Sequence, residues 1–127
     1  CVIPFYKSKN QKKCTKLDYG IFQDYYFKAL DYGWHLAPVN SQDNHAANWG
    51  DADNLTAIIA ESPTEEDIYD AMRSRRVYST QTRNLKLEVY ANGQIMGSEL
   101  NVTKGGTVSF EINASDPEEK ISKIEII

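Results

Sequence analysis

The sequence lacks any apolar run that approaches the roughly 20 residues of a membrane-spanning helix, so we predict no membrane span. It also lacks a basic excess: 14 Lys and Arg against 18 Asp and Glu give a formal net charge of −4. Nucleic-acid-binding proteins usually present a strongly basic surface, so we expect no nucleic acid partner. The first residues, Cys1–Tyr6, show neither a methionine nor the apolar region of a signal peptide, which predicts the interior of a longer chain.

Cysteine and histidine are both scarce, with two of each. Cys1 and Cys14 fit either a small disulfide-closed loop in an oxidising compartment or two free thiols, and one pair does not decide between these. His35 lies in a short apolar run, Trp34–Asn40, and we interpret it as a structural, hydrogen-bonded histidine. With His45 as the only other one, the chain is short of ligands for a tight metal site of its own.

Residues 1–83 have the pattern of an α/β domain. The apolar spacing over 21–30 predicts an amphipathic helix that ends at Gly33. Residues 34–40, 56–60 and 77–80 are predicted strands. Between the last two, Ser62 is predicted to cap a helix whose basic end holds Arg73, Arg75 and Arg76, side chains that we expect to stay solvated.

Residues 84–127 change to a β-rich pattern. Apolar and polar residues alternate over 85–89 and over 107–113, and Asn92-Gly93 is a hairpin signal. A further strand is predicted over 121–127, where the chain stops inside an apolar run. About four strands are fewer than the roughly seven of a full sandwich, so we predict a partial, truncated β-sandwich-like antiparallel segment.

The candidate chemistry lies in the turn Ser41-Gln42-Asp43-Asn44-His45, directly after the predicted strand 34–40. Carboxylate and imidazole are normal ligands of zinc, manganese and iron, so Asp43 and His45 are candidate metal ligands. By spacing alone, a turn aspartate and a surface histidine are the more usual interpretation of this pattern. Asn44, Asn48 and Trp49 are candidate walls of a substrate pocket, although aromatic burial would favour a Trp49 that packs the loop down.

The order of these elements resembles the C-terminal end of the PHP (polymerase and histidinol phosphatase) superfamily, in particular its CehA/McbA-like metallohydrolases. There an Asp-x-His turn follows a strand, then a helix ending in an Ala-x-Arg-x-x-Arg-x-Tyr-like pattern, and then a hairpin with an Asn-Gly-x-x-Met-Gly-like pattern. The resemblance covers roughly residues 20–100. The matching residues are Asp43 and His45, then Ala71, Met72, Arg73, Arg75, Arg76 and Tyr78, then Asn92-Gly93-Gln94-Ile95-Met96-Gly97.

The resemblance implies a fold and an activity. Residues 1–83 would be the C-terminal portion of a distorted (β/α)7 barrel, with divalent metals (zinc, manganese or iron) at its strand ends. The substrates would be small phosphate esters or related esters, hydrolysed by metal-activated water. Two departures matter: the chain has no His-x-His pair, and Leu55 stands where many relatives have arginine. We therefore expect a fragment that is inactive alone, with no metal bound, and that contributes Asp43 and His45 to a multinuclear site.

A second hypothesis comes from a different class of protein. The β-rich segment 84–127 fits a non-catalytic adhesion or carbohydrate-binding module with a small α/β lead-in. Both hypotheses are compatible with a bacterial protein that is secreted or at the cell surface, and the compartment stays open. A truncated chain exposes strand edges and apolar helix faces, which predicts self-association through them.

Overall fold

The computed structural model describes residues 20–41, 45–51 and 55–126. The elements, in chain order, are α1 (Gly20–Asp31), β1 (Leu55–Ile58), α2 (Glu65–Arg73), β2 (Val77–Thr80), β3 (Lys86–Ala91), β4 (Gln94–Ile95) and β5 (Phe110–Ser115). The chain divides into two compact units, of which one ends at Leu36 and the other begins at Ala37. Within the described ranges no helix is both long and apolar enough to cross a membrane.

The helix predicted over 21–30 is confirmed as α1. After it, the amide of Gly33 donates to the carbonyl of Leu30 at 2.8 Å, and the hydroxyl of Tyr26 donates to the carbonyl of Leu36 at 3.3 Å. The strand predicted over 34–40 is wrong, because this stretch forms no β-ladder. Its last residue, Asn40, bonds through its backbone to the side chain of Thr56 in β1 rather than to the backbone of a strand.

The predicted strands 56–60 and 77–80 are confirmed as β1 and β2. The two strands pair antiparallel, with Leu55 opposite Thr80 and Ile58 opposite Val77. The amide of Ile59 donates to the carbonyl of Arg76 at 2.8 Å, which extends the ladder by one rung. Helix α2 connects the two strands and buries Ala71 completely.

The N-terminus of α2 differs from the prediction, because Thr64 and not Ser62 caps the helix. Thr64 is extended (φ −81°, ψ 155°) and its hydroxyl accepts from the amide of Asp67 at 3.3 Å. Ser62 lies two residues earlier and donates its hydroxyl to the Asp67 carboxylate. The hydrogen bonds from Ser62 and Thr64 lower the pKa of Asp67, since both favour the ionised carboxylate.

The C-terminus of α2 is a Schellman motif with an arginine in the position where glycine is usual. The amide of Arg76 donates to the carbonyl of Ala71 at 2.9 Å, and that of Arg75 donates to Met72 at 3.0 Å. Arg75 has a left-handed backbone (φ 59°). Its guanidinium donates to the carbonyl of Gly97 at 3.0 Å and to the Glu99 carboxylate at 3.1 Å.

The arginines at the end of α2 were predicted to be solvated, and for two of them this is wrong. Arg75 and Arg76 are half-buried. Arg76 donates to the Asp70 carboxylate at 2.6 Å and to the carbonyl of Ile59 at 3.3 Å. Arg73 is exposed, as expected.

The second sheet has the order β4-β3-β5 and is antiparallel throughout. The hairpin signal is confirmed, since Asn92 (φ 49°) and Gly93 (φ 77°) form the two-residue turn between β3 and β4. Both have positive φ, as a type I′ turn requires. The predicted alternation is also confirmed, because Leu87 and Val89 are buried.

One apolar core joins the two sheets. Tyr78, Leu87 and Val89 form its centre, and these partly buried residues pack against it: Ala57, Ile59, Leu85, Met96, Ile112 and Ala114. The strand predicted over 107–113 is β5, which begins three residues later. The strand predicted over 121–127 is wrong for residues 121–126, which are exposed and form no ladder.

The described residues form two antiparallel sheets and no closed barrel. Strands of a β/α barrel pair in parallel, so β1 and β2 are not successive repeats of such a barrel. The PHP-type barrel therefore stays a prediction. The change to β-rich character predicted near residue 84 falls inside the unit that begins at Ala37.

We expect this chain to self-associate through the outer edge of β5. This strand is at the edge of its sheet, and Phe110 at its start is 50% exposed. An unpaired edge offers backbone donors and acceptors to another chain. In sedimentation velocity the average mass should rise with protein concentration, and Phe110→Lys should suppress the rise. Val102→Lys changes an exposed apolar residue outside any strand and should not. A monomer at every concentration would contradict the prediction.

Candidate functional site

The predicted metal turn is described at its two ends. Ser41 and His45 are both exposed, and His45 lies in a bend. Gln42, Asp43 and Asn44 are outside the described residues. The imidazole of His45 therefore lies at the protein surface, where a ligand from solvent can approach it.

The chain is anchored immediately before this turn. Asn40 donates its amide to the hydroxyl oxygen of Thr56 at 2.9 Å, and the Thr56 hydroxyl donates back to the carbonyl of Asn40 at 2.8 Å. Both groups are part-buried, and Thr56 is held in the β1–β2 ladder. The first residue of the turn, Ser41, is therefore adjacent to a fixed point of the sheet.

The loop that follows the turn is tightly folded. Ala47 (φ 55°) and Gly50 (φ 82°) both have left-handed backbones, and the amide of Asp51 donates to the carbonyl of Asn48 at 3.3 Å. Trp49 lies at the tip of this turn and is 80% exposed. The expectation that Trp49 packs the loop down is thus wrong, while its predicted role in a pocket wall stays a prediction, as do those of Asn44 and Asn48.

Arg83 is a contact of this loop that the sequence did not predict. It lies in the connection between β2 and β3, and its Nη2 donates to the carbonyl of Gly50. The loop from Ser41 to Asp51 is therefore held at the Asn40–Thr56 bonds on one side and at Gly50 on the other. Nothing in the local sequence pattern links Arg83 to a glycine 33 positions earlier.

The donors on the described residues fit a metal only in part. Across residues 20–41, 45–51 and 55–126, no three or more His, Cys, Asp or Glu side chains are grouped so that they could hold an ion. The exposed imidazole of His45 and the carboxylate two positions earlier in the sequence would provide two ligands at most, and a tight site needs about four. Asp43 and His45 thus suit a site that other ligands complete.

His35 lies outside this loop, in the unit that ends at Leu36. It is exposed, and because residues 34–40 form no strand, its predicted place in a strand is wrong. Its interpretation as a structural, hydrogen-bonded histidine stays a prediction. It offers a matched comparison for His45, because both imidazoles are exposed and the chain has no other histidine.

A cleft lies between the start of β3 and the end of β5. It has a volume of about 390 Å³ and is lined by Arg83, Asn84, Lys86, Ser115, Asp116 and Pro117. The Asp116 carboxylate accepts from the Thr82 hydroxyl at 2.7 Å and from the amides of Glu118 and Glu119 at 2.9 and 3.1 Å. These hydrogen bonds lower the pKa of Asp116, and the bond from Thr82 has the largest effect. No sequence pattern predicts this cleft, because its walls come together only through the β3–β5 pairing.

A protein-family model matches much of the chain. The family model described as "Protein of unknown function (DUF3604)" matches residues 24–106 of the 127 residues. The match spans most of α1, the loop with His45 and Trp49, and the elements up to β4. No curated protein and no solved structure was found to match the chain.

Proposed function

The chain belongs to the DUF3604 family, and from the exposed, anchored turn at His45 we propose that it contributes a metal-binding turn to a metal-dependent hydrolase of the PHP type. The substrate class is a small phosphate ester or a related ester. The ligands on this chain are Asp43 and His45. The remaining ligands belong to parts of the enzyme that these residues do not supply, so the chain is inactive by itself.

One observation carries the proposal: His45 is exposed on a loop whose two flanks are fixed. Asn40 and Thr56 exchange two hydrogen bonds on one flank, and Arg83 holds Gly50 on the other. A metal ligand must be held in place by its supporting structure, since a loose ligand loses affinity. A surface histidine without function needs no such support.

Each group of the loop has a part in the proposed site. His45 provides a neutral imidazole nitrogen and Asp43 a carboxylate oxygen. A bound divalent metal acts as a Lewis acid that stabilises negative charge developing on an ester oxygen. Trp49 offers its exposed ring to the non-reacting part of the substrate, with Asn44 and Asn48 as hydrogen-bonding neighbours in sequence. Strands β1 and β2 pair antiparallel, and Thr56 in β1 supports the loop through its two hydrogen bonds with Asn40.

We expect Zn²⁺ to shift the imidazole NMR signals of His45 and to leave those of His35 unchanged. The signals are assigned with His45→Ala and His35→Ala. Weak zinc binding is sufficient for this test, because even a site with two ligands produces a chemical-shift change that saturates during the titration. Asp43→Asn removes the anionic ligand at nearly constant size and should weaken the response about tenfold, the effect of one charge-assisted contact.

The control is built into the chain, since His35 reports zinc binding to any exposed imidazole. An equal response of both histidines, or an Asp43→Asn variant that binds zinc as well as the parent chain, would contradict the proposed turn. In a full-length relative with an intact ligand set, the substitutions equivalent to His45→Ala and Asp43→Asn should abolish ester hydrolysis.

A second candidate, a carbohydrate-binding module without catalysis, is favoured by the exposure of Trp49, which is 80%. Solvent-exposed aromatic rings stack on the apolar faces of ligands. In this case Trp49→Ala would abolish retention on a polysaccharide column, while His45→Ala would not. The hydrolase hypothesis predicts that neither the parent chain nor these variants are retained on the column.

A further inference from the structure

We propose that the cleft between β3 and β5 binds an oxyanion, such as the phosphate group of an ester. We call it the basic cleft and define it by Arg83, Asn84, Lys86, Ser115, Asp116 and Pro117. Its volume of about 390 Å³ lies within the range of roughly 300–1,000 Å³ that small-molecule sites occupy. The cleft requires no metal, so anion binding there can be measured independently of metal binding at His45.

The basic cleft is preformed by hydrogen bonds across its base. Lys86 and Ser115 are opposite each other in the β3–β5 ladder, which fixes the spacing of the two walls. The Thr82 hydroxyl joins the walls directly: it donates to Asp116 at 2.7 Å and accepts from the amide of Leu85 at 3.0 Å. A ligand would therefore not have to order the site, which keeps the entropic cost of binding low.

The charges of the lining favour an anion. Two of the six side chains, Arg83 and Lys86, are cationic, and one, Asp116, is anionic. The Asp116 carboxylate is already engaged by Thr82 and by two backbone amides, which offset part of its charge. In the part of the chain that the structure describes, neither Arg83 nor Lys86 forms an ion pair with a carboxylate.

Arg83 connects the basic cleft to the loop that bears His45. One of its guanidinium nitrogens donates to the carbonyl of Gly50. Arginine has five donors in a planar fork that suits bidentate recognition of phosphate and carboxylate. One bond to Gly50 thus leaves donors available for an anion. The next step, and no other in this subsection, rests on the proposed function. In that enzyme the cleft would hold an anionic group of the substrate beside the metal-binding loop.

The test is a titration of the ¹⁵N-labelled chain with inorganic phosphate, with sodium chloride exchanged to keep ionic strength constant and EDTA present to exclude metals. We expect saturable shifts at residues 83–86 and 115–117. Lys86→Gln should weaken binding about tenfold, because it removes one charge-assisted hydrogen bond. This variant keeps the Arg83–Gly50 bond, so the loop stays anchored. Arg83→Gln should weaken binding at least as much.

Two matched variants control for net charge. Lys104→Gln removes a lysine and Arg73→Gln removes an arginine, and both residues are exposed and outside the basic cleft. Both should bind phosphate like the parent chain. Shifts that fail to saturate, or that Lys104→Gln weakens as much as Lys86→Gln, would overturn the proposal. Because metals are excluded, a failure here leaves the zinc response of His45 intact as a separate result.

Discussion

Replacing Gly97 with alanine should lower the free energy of unfolding by about 4 kcal/mol, the range of the most damaging single substitutions. Gly97 has a left-handed backbone (φ 92°). A Cβ at this position would collide with the carbonyl oxygen of Ser74 and lie 2.8 Å from the carbonyl carbon and oxygen of Arg75. Those atoms are backbone at the end of α2, so they cannot turn aside as a flexible side chain would.

Gly105→Ala is the matched control for this substitution. Gly105 also has a left-handed backbone (φ 83°), but a Cβ there would have no heavy atom within 4 Å. Gly105→Ala should lower the free energy of unfolding only through backbone strain, by about 1–2 kcal/mol. The difference between the two variants in urea denaturation therefore measures the steric collision alone. Equal losses for Gly97→Ala and Gly105→Ala would contradict the close approach of Gly97 to α2.

Truncating Tyr78 to alanine should cost about 3–5 kcal/mol, because it leaves a cavity at the centre of the core. The ring is buried between the two sheets. The Tyr78→Phe variant separates the hydroxyl from the ring. That hydroxyl donates to the carbonyl of Leu85 at 2.7 Å and accepts from the amide of Leu87 at 3.3 Å. Its loss would leave both backbone groups without this partner and should cost about 1–3 kcal/mol.

The pH dependence of stability offers a second measure of the Tyr78 hydroxyl. Burial, the largest cause, raises the pKa of Tyr78 above its usual value near 10. A folded-state pKa above the unfolded one means that its contribution is complete below pH 10 and is lost as pH rises through the folded pKa. The parent chain should therefore lose stability above pH 10 more steeply than Tyr78→Phe. Tyr90→Phe removes a hydroxyl that donates to the exposed Glu88 carboxylate at 3.2 Å, and this variant should keep the free energy of unfolding of the parent chain at neutral pH.

Two of the sequence patterns on which the PHP resemblance rests lie in segments that contact each other in the structure. The end of α2 supplies Arg75 and Tyr78, and the hairpin supplies Met96 and Gly97. Arg75 donates to the carbonyl of Gly97, and Met96 packs against the core that contains Tyr78. These residues hold the two sheets together and take no part in the proposed chemistry. The resemblance therefore rests mostly on architecture, and Asp43 and His45 are its chemical part.

Elements that depend on neighbouring residues could be predicted from the sequence. Helix α1 follows from the apolar spacing over 21–30, and the β3–β4 hairpin follows from Asn92-Gly93, which tolerates positive φ. The cap of α2 was misplaced because Ser62 and Thr64 both have a hydroxyl. Only the position relative to the Asp67 amide decides between them. The local sequence pattern therefore reduces the candidates for the helix cap to these two residues but does not decide between them.

The errors and omissions come from contacts between distant residues. An apolar run forms a strand only where a partner edge is present, and residues 34–40 and 121–126 form no ladder. The Asn40–Thr56 bonds join residues 16 positions apart, and the Arg83–Gly50 bond spans 33. No periodicity in the sequence encodes such pairs. The anchoring of the candidate loop, which carries the proposed function, could therefore be seen only in the structure.

The most direct test of the metal-binding turn is paramagnetic broadening of the backbone amide signals by Mn²⁺. This ion broadens the signals of nearby nuclei even when it binds weakly, so it locates the site along the chain. We expect the strongest broadening to centre on residues 43–45, to persist in His35→Ala and to disappear in His45→Ala. Broadening centred elsewhere, for example on the carboxylates at 116–119, and unchanged by His45→Ala would contradict the proposal.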